Sequence, residues 1–291
     1  MDDALAEWLR LREVADWAAR SAPLAHQVAD RLPTERPVRV LDLATGTGSN
    51  LRYLMTRLPS PQHWLLVDRS ADLLRLVGER TSAWAASRGY RVEPIDRGLA
   101  VHGSSLACVV ETRILDLNLP LAEELFAGRH LVTASALLDL VSEAWLTALA
   151  GRCRTSGAAA LFALSYDGRS AFSPPEPDDE WVRTLLNEHQ HRDKGLGGPG
   201  AGPSAHLTAR RCFLAAGFSC RDAPTDWSIG PDEEALQRQL IEGLATAAVE
   251  ERPDAGDAVA AWLTRRLAHL AGGQSRATVG HHDLAAWLPG T

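Results

Sequence analysis

The chain reads as an α/β protein, a doubly wound domain on a mostly parallel sheet, and three observations predict this. Short apolar runs alternate with segments of helical period. A glycine-containing turn separates the first run from the helix after it, and acids stand late in the first two runs, at Asp42 and Asp68.

In residues 4–20 the apolar positions Leu5, Trp8, Leu9, Leu11, Val14, Ala15 and Ala18 recur at three- and four-residue steps, which predicts an amphipathic helix. A second helical stretch covers 22–32, so residues 1–36 form an N-terminal helical cap. Pro33 and Pro37 end it, and VRVLDL (38–43) is apolar on both faces, as a buried parallel strand is. The turn 44–49 leads into a helix through about Leu58. The grammar repeats with HWLLVD (63–68) and a helix over 71–87. Residues 90–105, with Pro94, Gly98 and Gly103, predict a short hairpin before a third strand at 109–115. A fourth strand at 131–136 is followed by a helix through Arg152, and a fifth covers 158–165. Strand–helix alternation of this kind gives right-handed crossovers and parallel pairing.

The later third changes character. Residues 173–179 are rich in proline and acid, 180–191 form a short helix, and 195–203 (GLGGPGAGP) is too glycine-rich for a helix interior. A helix at 207–216 ends at Gly217, 218–229 contain a further strand, 231–250 and 258–270 pair as helices, and 276–288 are apolar enough to rejoin the sheet. Residues 37–291 therefore read as one domain, with 170–206 as a flexible lid or acceptor segment and 231–271 as a helical insertion.

The 291 residues carry 30 basic and 37 acidic side chains, a net −7. That balance argues against a grip on nucleic-acid phosphates, which needs a basic stripe. Cys108, Cys153, Cys212 and Cys220 form no C-x-x-C pair, so reduced thiols are expected, with no metal site. Acids at the N-terminus and the absence of a long apolar run point to a cytoplasmic protein without a membrane span. Arginine supplies all positive charge except Lys194, the one lysine.

The segment 40–54, VLDLATGTGSNLRYL, carries the chemistry. Gly46 and Gly48 let the main chain approach a ligand, and the helix behind them presents free amides. Asp68 stands where a carboxylate meets a ribose. A dinucleotide site would show a third glycine where Leu51 stands, and Asp42 would repel a pyrophosphate while suiting an ammonium or sulfonium. Asp42 has the alternative of capping the turn's amides, and Asp116 that of an ordinary loop carboxylate.

In the motif DLATGTG (42–48), of the form D-x-x-x-G-x-G, the chain resembles the class I S-adenosylmethionine-dependent methyltransferases. The resemblance implies a Rossmann-like methyltransferase fold with seven strands, the last two from 218–229 and 276–288. It implies S-adenosylmethionine as cofactor, Asp68 on the ribose, Asp116 of ILDLNLP on the adenine amino group, and the turn ASALLD (134–139) beside the methionine part and the acceptor. The implied cofactor set is Asp42, Ala44, Thr45, Gly46, Gly48, Asn50, Asp68, Arg69, Asp116, Leu117, Ser135, Ala136 and Leu137, with Arg20 meeting the cofactor carboxylate from the cap.

The expected activity is methyl transfer to an oxygen or nitrogen of a small-molecule acceptor, an in-line displacement in which alignment and exclusion of water do most of the work. A non-catalytic sensor or scaffold binding the same cofactor is the alternative, and a nicotinamide-dependent dehydrogenase is disfavoured by Asp42 and Leu51. The densest cluster of proton-transfer groups is NEHQHRDK (187–194). His189 and His191, two apart, do not share a helical face, so His189 is the expected catalytic group, with Asp139 the other acceptor-side candidate. Asp193 and Lys194 are binding or helix-end groups. The resemblance implies that the N-terminal helices cover the cofactor's crevice, with plain packing as the alternative for Trp8 and Trp17; His281 and His282 read as edge or turn residues, and the oligomeric state is left open.

Overall fold

A computed structural model describes residues 2–118 and 120–290; Leu119, within the ILDLNLP motif, lies outside the described residues. Among these, ten strands make one sheet: β1 (Val38–Leu43), β2 (Gln62–Asp68), β3 (Arg91–Ile95), β4 (Gly98–His102), β5 (Ala107–Ile114), β6 (Leu131–Ser135), β7 (Ala159–Ser173), β8 (Ser219–Pro224), β9 (Trp227–Ile229) and β10 (Arg276–Trp287). Their order is β3-β4-β5-β2-β1-β6-β7-β10-β8, with β9 also on β10. Strands β5, β2, β1, β6 and β7 are parallel neighbours, and β10 runs antiparallel to β7, β8 and β9.

The doubly wound, mostly parallel sheet is the one expected, with three corrections. The expected 90–105 hairpin is present as β3–β4, but it joins the sheet beyond β5, so that among the described residues the sheet has ten strands and not seven. The single strand expected in 218–229 is two: β8 stops at Pro224, which has no N–H for a ladder, and Thr225 donates its N–H to the His281 carbonyl (2.8 Å) instead. The fifth strand does not stop at Ser165 but runs to Ser173, because its second half finds a partner in the first half of β10 across two register shifts. Residues 170–173 thus lie in the sheet rather than in the segment expected to cover the site.

The pleat sorts side chains to two faces. Leu41, Leu43, Leu65 and Val67 pack with α6 (Glu143–Ser156) and α8 (Ala205–Ala215) through Leu146, Leu149 and Phe213. Val38, Val40, Trp64 and Leu66 pack with α2 (Ala22–Ala29), α3 (Ser49–Leu54) and α4 (Ala71–Ala86) through Val28, Leu51, Leu54 and Val77. Serine caps start α2, α4 and α6: Ser21, Ser70 and Ser142 accept the N–H of Leu24, Leu73 and Trp145. A short helix α5 (Glu123–Phe126) precedes β6.

A third core joins α7 (Asp179–Gln190), α9 (Glu234–Glu251) and α10 (Gly256–Ala271) to the extended half of β7 and to β9 and β10, through Val182, Leu185, Ile241, Leu244, Trp262, Trp227 and Val279. Arg266 of α10 is fully buried and donates from Nε to Asp179 Oδ1 (2.8 Å), which also accepts Trp262 Nε1 (2.8 Å). The expected helical pair is α9 and α10. Helix α1 (Asp2–Ala19) lies against β9 and α9.

All four cysteines are free thiols, three of them buried. Among the described residues no helix is long and apolar enough to cross a membrane.

Candidate functional site

Strand β1 pairs with β2 on one side and β6 on the other. Crossovers therefore leave it in opposite directions, and a crevice must open beyond the carboxyl ends of the strands. A cavity of about 1080 Å³ occupies that place. Asp42, Ala44, Thr45, Gly46, Asn50, Asp68, Arg69, Asp116, Leu117, Ser135, Ala136, Leu137 and Asp139, all named from the sequence, line it.

The loop after β1 is left-handed at Ala44 (φ 50°), Gly46 (φ 57°) and Gly48 (φ 82°). Gly46 donates its N–H to Asp68 Oδ2 (2.8 Å), and a Cβ there would sit 3.0 Å from Leu9 Cδ1 of α1, inside the gap between loop and roof. Gly48 corrects its assignment. It does not line the cavity, and a Cβ there would press on Arg52 Nη1 (3.2 Å) and Val77 Cγ1 (3.3 Å), so this glycine serves packing against α4.

Asp42 is fully buried and accepts Thr45 Oγ1 (2.6 Å) and Asn50 Nδ2 (2.7 Å), both side chains, so it does not cap the turn's amides. Burial pushes its carboxyl up to about 6 against those hydrogen bonds and the charge of Arg20. Asn50 Nδ2 also donates to Thr133 Oγ1 (3.1 Å), and Asn50 Oδ1 accepts Arg20 Nη1 (2.7 Å). Arg20 thus differs from expectation. Its guanidinium is buried 4.0 Å above the Tyr53 ring, holding Asn50 from below rather than reaching the cavity. Asp68 Oδ1 accepts the N–H of Ser70 (3.0 Å). Asp116 is exposed and accepts the N–H of Asn118 (2.9 Å), a local turn bond that leaves it at the cavity wall.

On the other side stands Asp139, buried, with Oδ1 lacking a hydrogen-bond partner among the described residues. Burial raises its carboxyl to about 6, with the charges of Arg12 and Lys194 among the opposing influences. The glycine run packs on its turn: a Cβ at Gly200 would come within 3.0 Å of the Asp139 carbonyl and 2.7 Å of that of Gln190. His189, expected as the catalytic group, is not at the cavity. Its Nε2 pairs with Glu250 Oε2 of α9 (2.9 Å) because α7 turns that face toward α9, and His191 is spent on the Gly200 carbonyl (Nδ1···O 3.1 Å). Lys194 does line the cavity, its Nζ donating to the His189 carbonyl (3.1 Å).

Several lining residues escaped the sequence reading. His281 and Val279 of β10 both face the cavity, as i, i+2 residues of one strand must; that alternation was the signal available. Burial holds the His281 imidazole down to about 4, with Arg12 adding to the effect, so it is uncharged at neutral pH. Its ring centroid lies 5.0 Å from that of Trp227 and 6.2 Å from that of Tyr166. The roof is α1, whose Leu5, Trp8, Leu9, Arg12 and Asp16 recur at helical spacing on the cavity face. Trp8 is therefore a lining residue, whereas Trp17 donates from Nε1 to Ser49 Oγ (3.0 Å) and pins α1 to the loop.

The sheet order, the switch-point crevice and the left-handed loop define the chain as a Rossmann-like α/β protein, the fold that the resemblance to class I S-adenosylmethionine-dependent methyltransferases implies. No family model matches the chain, and no curated protein matches it. Similar solved structures include phosphoethanolamine N-methyltransferase 2 of Haemonchus contortus (15% identity, TM-score 0.41, 90% of this chain and 51% of that one). They also include the cyclopropane synthase MmaA2 of Mycobacterium tuberculosis (10%, TM-score 0.43, 91% and 82%) and the [4+2]-cyclase SpnF (18%, TM-score 0.41, 92% and 81%). The chain spans about half the length of the Haemonchus contortus protein. These likenesses concern the course of the chain and assign no activity.

Proposed function

We propose that the protein transfers a methyl group from S-adenosylmethionine to an oxygen or nitrogen of a small-molecule acceptor. One observation carries the reading: the bare main chain at Gly46 faces the Asp68 carboxylate in the same cavity that holds the unpartnered Asp139 Oδ1. A Cβ at Gly46 would fill the cradle, and the donor set is acidic where the cofactor's ribose and ammonium need acceptors.

When bound, the cofactor supplies an electrophilic methyl on a sulfonium whose sulfur keeps the bonding pair as it leaves. The chain's own residues do the rest. Each Asp68 oxygen accepts one backbone N–H and keeps lone-pair capacity for a ribose hydroxyl. Asp116 takes the adenine amino group, and Ser135, Ala136 and Leu137 wall the methionine part. Asp42, fixed through Thr45 and Asn50, holds negative charge beneath the loop. Asp139 Oδ1 accepts the proton that a hydroxyl or ammonium acceptor loses. Trp8 and Leu9 of the roof keep water out, which is where an in-line displacement gains most.

Calorimetric titration with S-adenosylhomocysteine tests the binding half, with NADH as control. Asp68→Ala is expected to weaken that binding by ~1–3 kcal/mol, because a charged acceptor of two hydroxyls is lost. Unchanged affinity sinks the ribose assignment, and heat with NADH but none with the homocysteine sinks the whole reading. Transfer of labelled methyl to a metabolite in a cell extract separates an enzyme from a cofactor-binding scaffold.

A further inference from the structure

Deepening that reading to a substrate class, we propose that the acceptor is a small organic anion whose carboxylate or phosphate is bound by Arg12 and Lys194. The proposal rests on the methyl-transfer reading for what becomes of the ligand, not for how it binds.

The chain is acidic overall, at −7, yet two cations line the part of the cavity that also holds Asp139, His281, Tyr166 and Trp227. Arg12 spends only Nε, on Asp16 Oδ2 (2.9 Å); among the described residues its two Nη groups have no hydrogen-bond partner in the protein. Its guanidinium lies over the indoles of Trp8 (5.9 Å) and Trp227 (5.1 Å), and Trp227 Nε1 donates to Asp16 Oδ1 (3.0 Å), so both plane and counter-ion are fixed. A preorganised pair of Nη groups matches the two oxygens of a carboxylate or phosphate.

Lys194 donates to the His189 carbonyl (3.1 Å) and lies 3.3 Å from His189 Nδ1, and among the described residues no carboxylate is within ion-pair distance of it. An ammonium has three donors, so one is left for a ligand. The other charged groups facing this volume do not replace an anion. Asp16 is consumed by Arg12 and Trp227. Glu250 and Glu251, which act on Lys194 from α9, pair with His189 and Arg192. Glu242 is exposed at the rim, and His281 is uncharged. Both cations act on Asp139, which places the anion site within electrostatic reach of the proton acceptor. An ammonium-bearing acceptor would meet two like charges there, whereas an anion neutralises them and can present a hydroxyl or amine to Asp139.

The test is titration calorimetry with benzoate, phenyl phosphate, benzyl alcohol and benzylamine, with and without saturating S-adenosylhomocysteine. Benzoate or phenyl phosphate is expected to bind about tenfold or more tightly than the alcohol and the amine, and the tighter of the two tells carboxylate from phosphate. Arg12→Gln and Lys194→Gln should each weaken anion binding about tenfold, while Arg12→Lys retains part of it and guards against misfolding. Benzylamine binding as tightly as benzoate, failure of both anions to bind, or anion binding indifferent to both glutamine substitutions overturns the proposal. Anion binding that depends on Arg12, in a protein that ignores the homocysteine, overturns the cofactor reading and leaves this one standing.

Discussion

Asp139 joins two properties that oppose each other, a carboxyl raised to about 6 and a site where ionisation is useful. Below pH 4 the carboxyl is protonated folded or unfolded; between about 4 and 6 the folded chain keeps a proton that the unfolded chain has lost. The stability this provides is greatest below the ordinary value of 3.8 and disappears as pH rises through 6. Asp139→Asn is therefore expected to stabilise the protein at pH 7.5 by ~1–3 kcal/mol in urea titrations, the gain closing below pH 4. Activity runs the other way. With a hydroxyl acceptor the natural chain should gain rate as pH rises through 6, and the variant should lose that inflection and about 100-fold or more of the rate. A flat wild-type profile would remove Asp139 as the proton acceptor. His189 and His281 show the limit of reading residues singly. The richer local cluster pointed to His189, but α7 turns it onto Glu250, while the cavity receives the histidine that looked structural.

At the scale of elements, α1 is a roof clasped by Trp17 to Ser49, Arg80 Nη2 to the Ala6 carbonyl (2.9 Å), Glu13 to Arg52, and Trp227 to Asp16. Arg52 is buried and gives Nε and Nη2 to the two Glu13 oxygens (2.8 and 2.6 Å). Glu13→Ala leaves that guanidinium short of its counter-ion, and a stability loss of about 3 kcal/mol is expected by denaturant unfolding. Because Arg52 Nη1 also holds the Thr47 carbonyl (2.7 Å), the same variant should release S-adenosylhomocysteine faster in stopped-flow displacement. An unaltered release rate would mean that α1 does not close the site. The amphipathic period of α1 was plain in the sequence and its place over the crevice was implied by the resemblance, but not which of its residues face the cavity, since a stripe of Leu5, Trp8 and Leu9 serves a core or a cavity equally well.

Across the whole molecule, Asp283 ties the parts together. Its Oδ1 accepts the Leu164 N–H (2.8 Å) and Thr225 Oγ1 (3.1 Å), and its Oδ2 accepts the Ser21 N–H (3.0 Å). One fully buried carboxylate thus joins the start of α2, the left-handed kink of β7 at Leu164 (φ 56°) and the β8–β9 connection. Asp283→Ala strands these donors, and a loss of roughly 3–5 kcal/mol with a lowered Tm is expected. A shift within about 0.5 kcal/mol would show that the three segments are held by packing alone.

The sequence alone determined the alternation of strands and helices, the parallel pairing that goes with it and the glycine-containing turn at Gly46. Each follows from local chemistry, the period of apolar residues and the backbone freedom of glycine and proline. Asp42, Asp68 and Asp139 were legible too, because their places are set by distance along the chain from a strand end. The extension of β7 to Ser173, the addition of β3–β4 to the sheet and the choice of His281, Tyr166, Trp227 and Arg12 as cavity walls were decided by tertiary structure. Those outcomes depend on which partner a strand or helix face meets, and the partners, such as Arg12 and Trp227, lie far apart in the chain and come together only when the sheet closes its register.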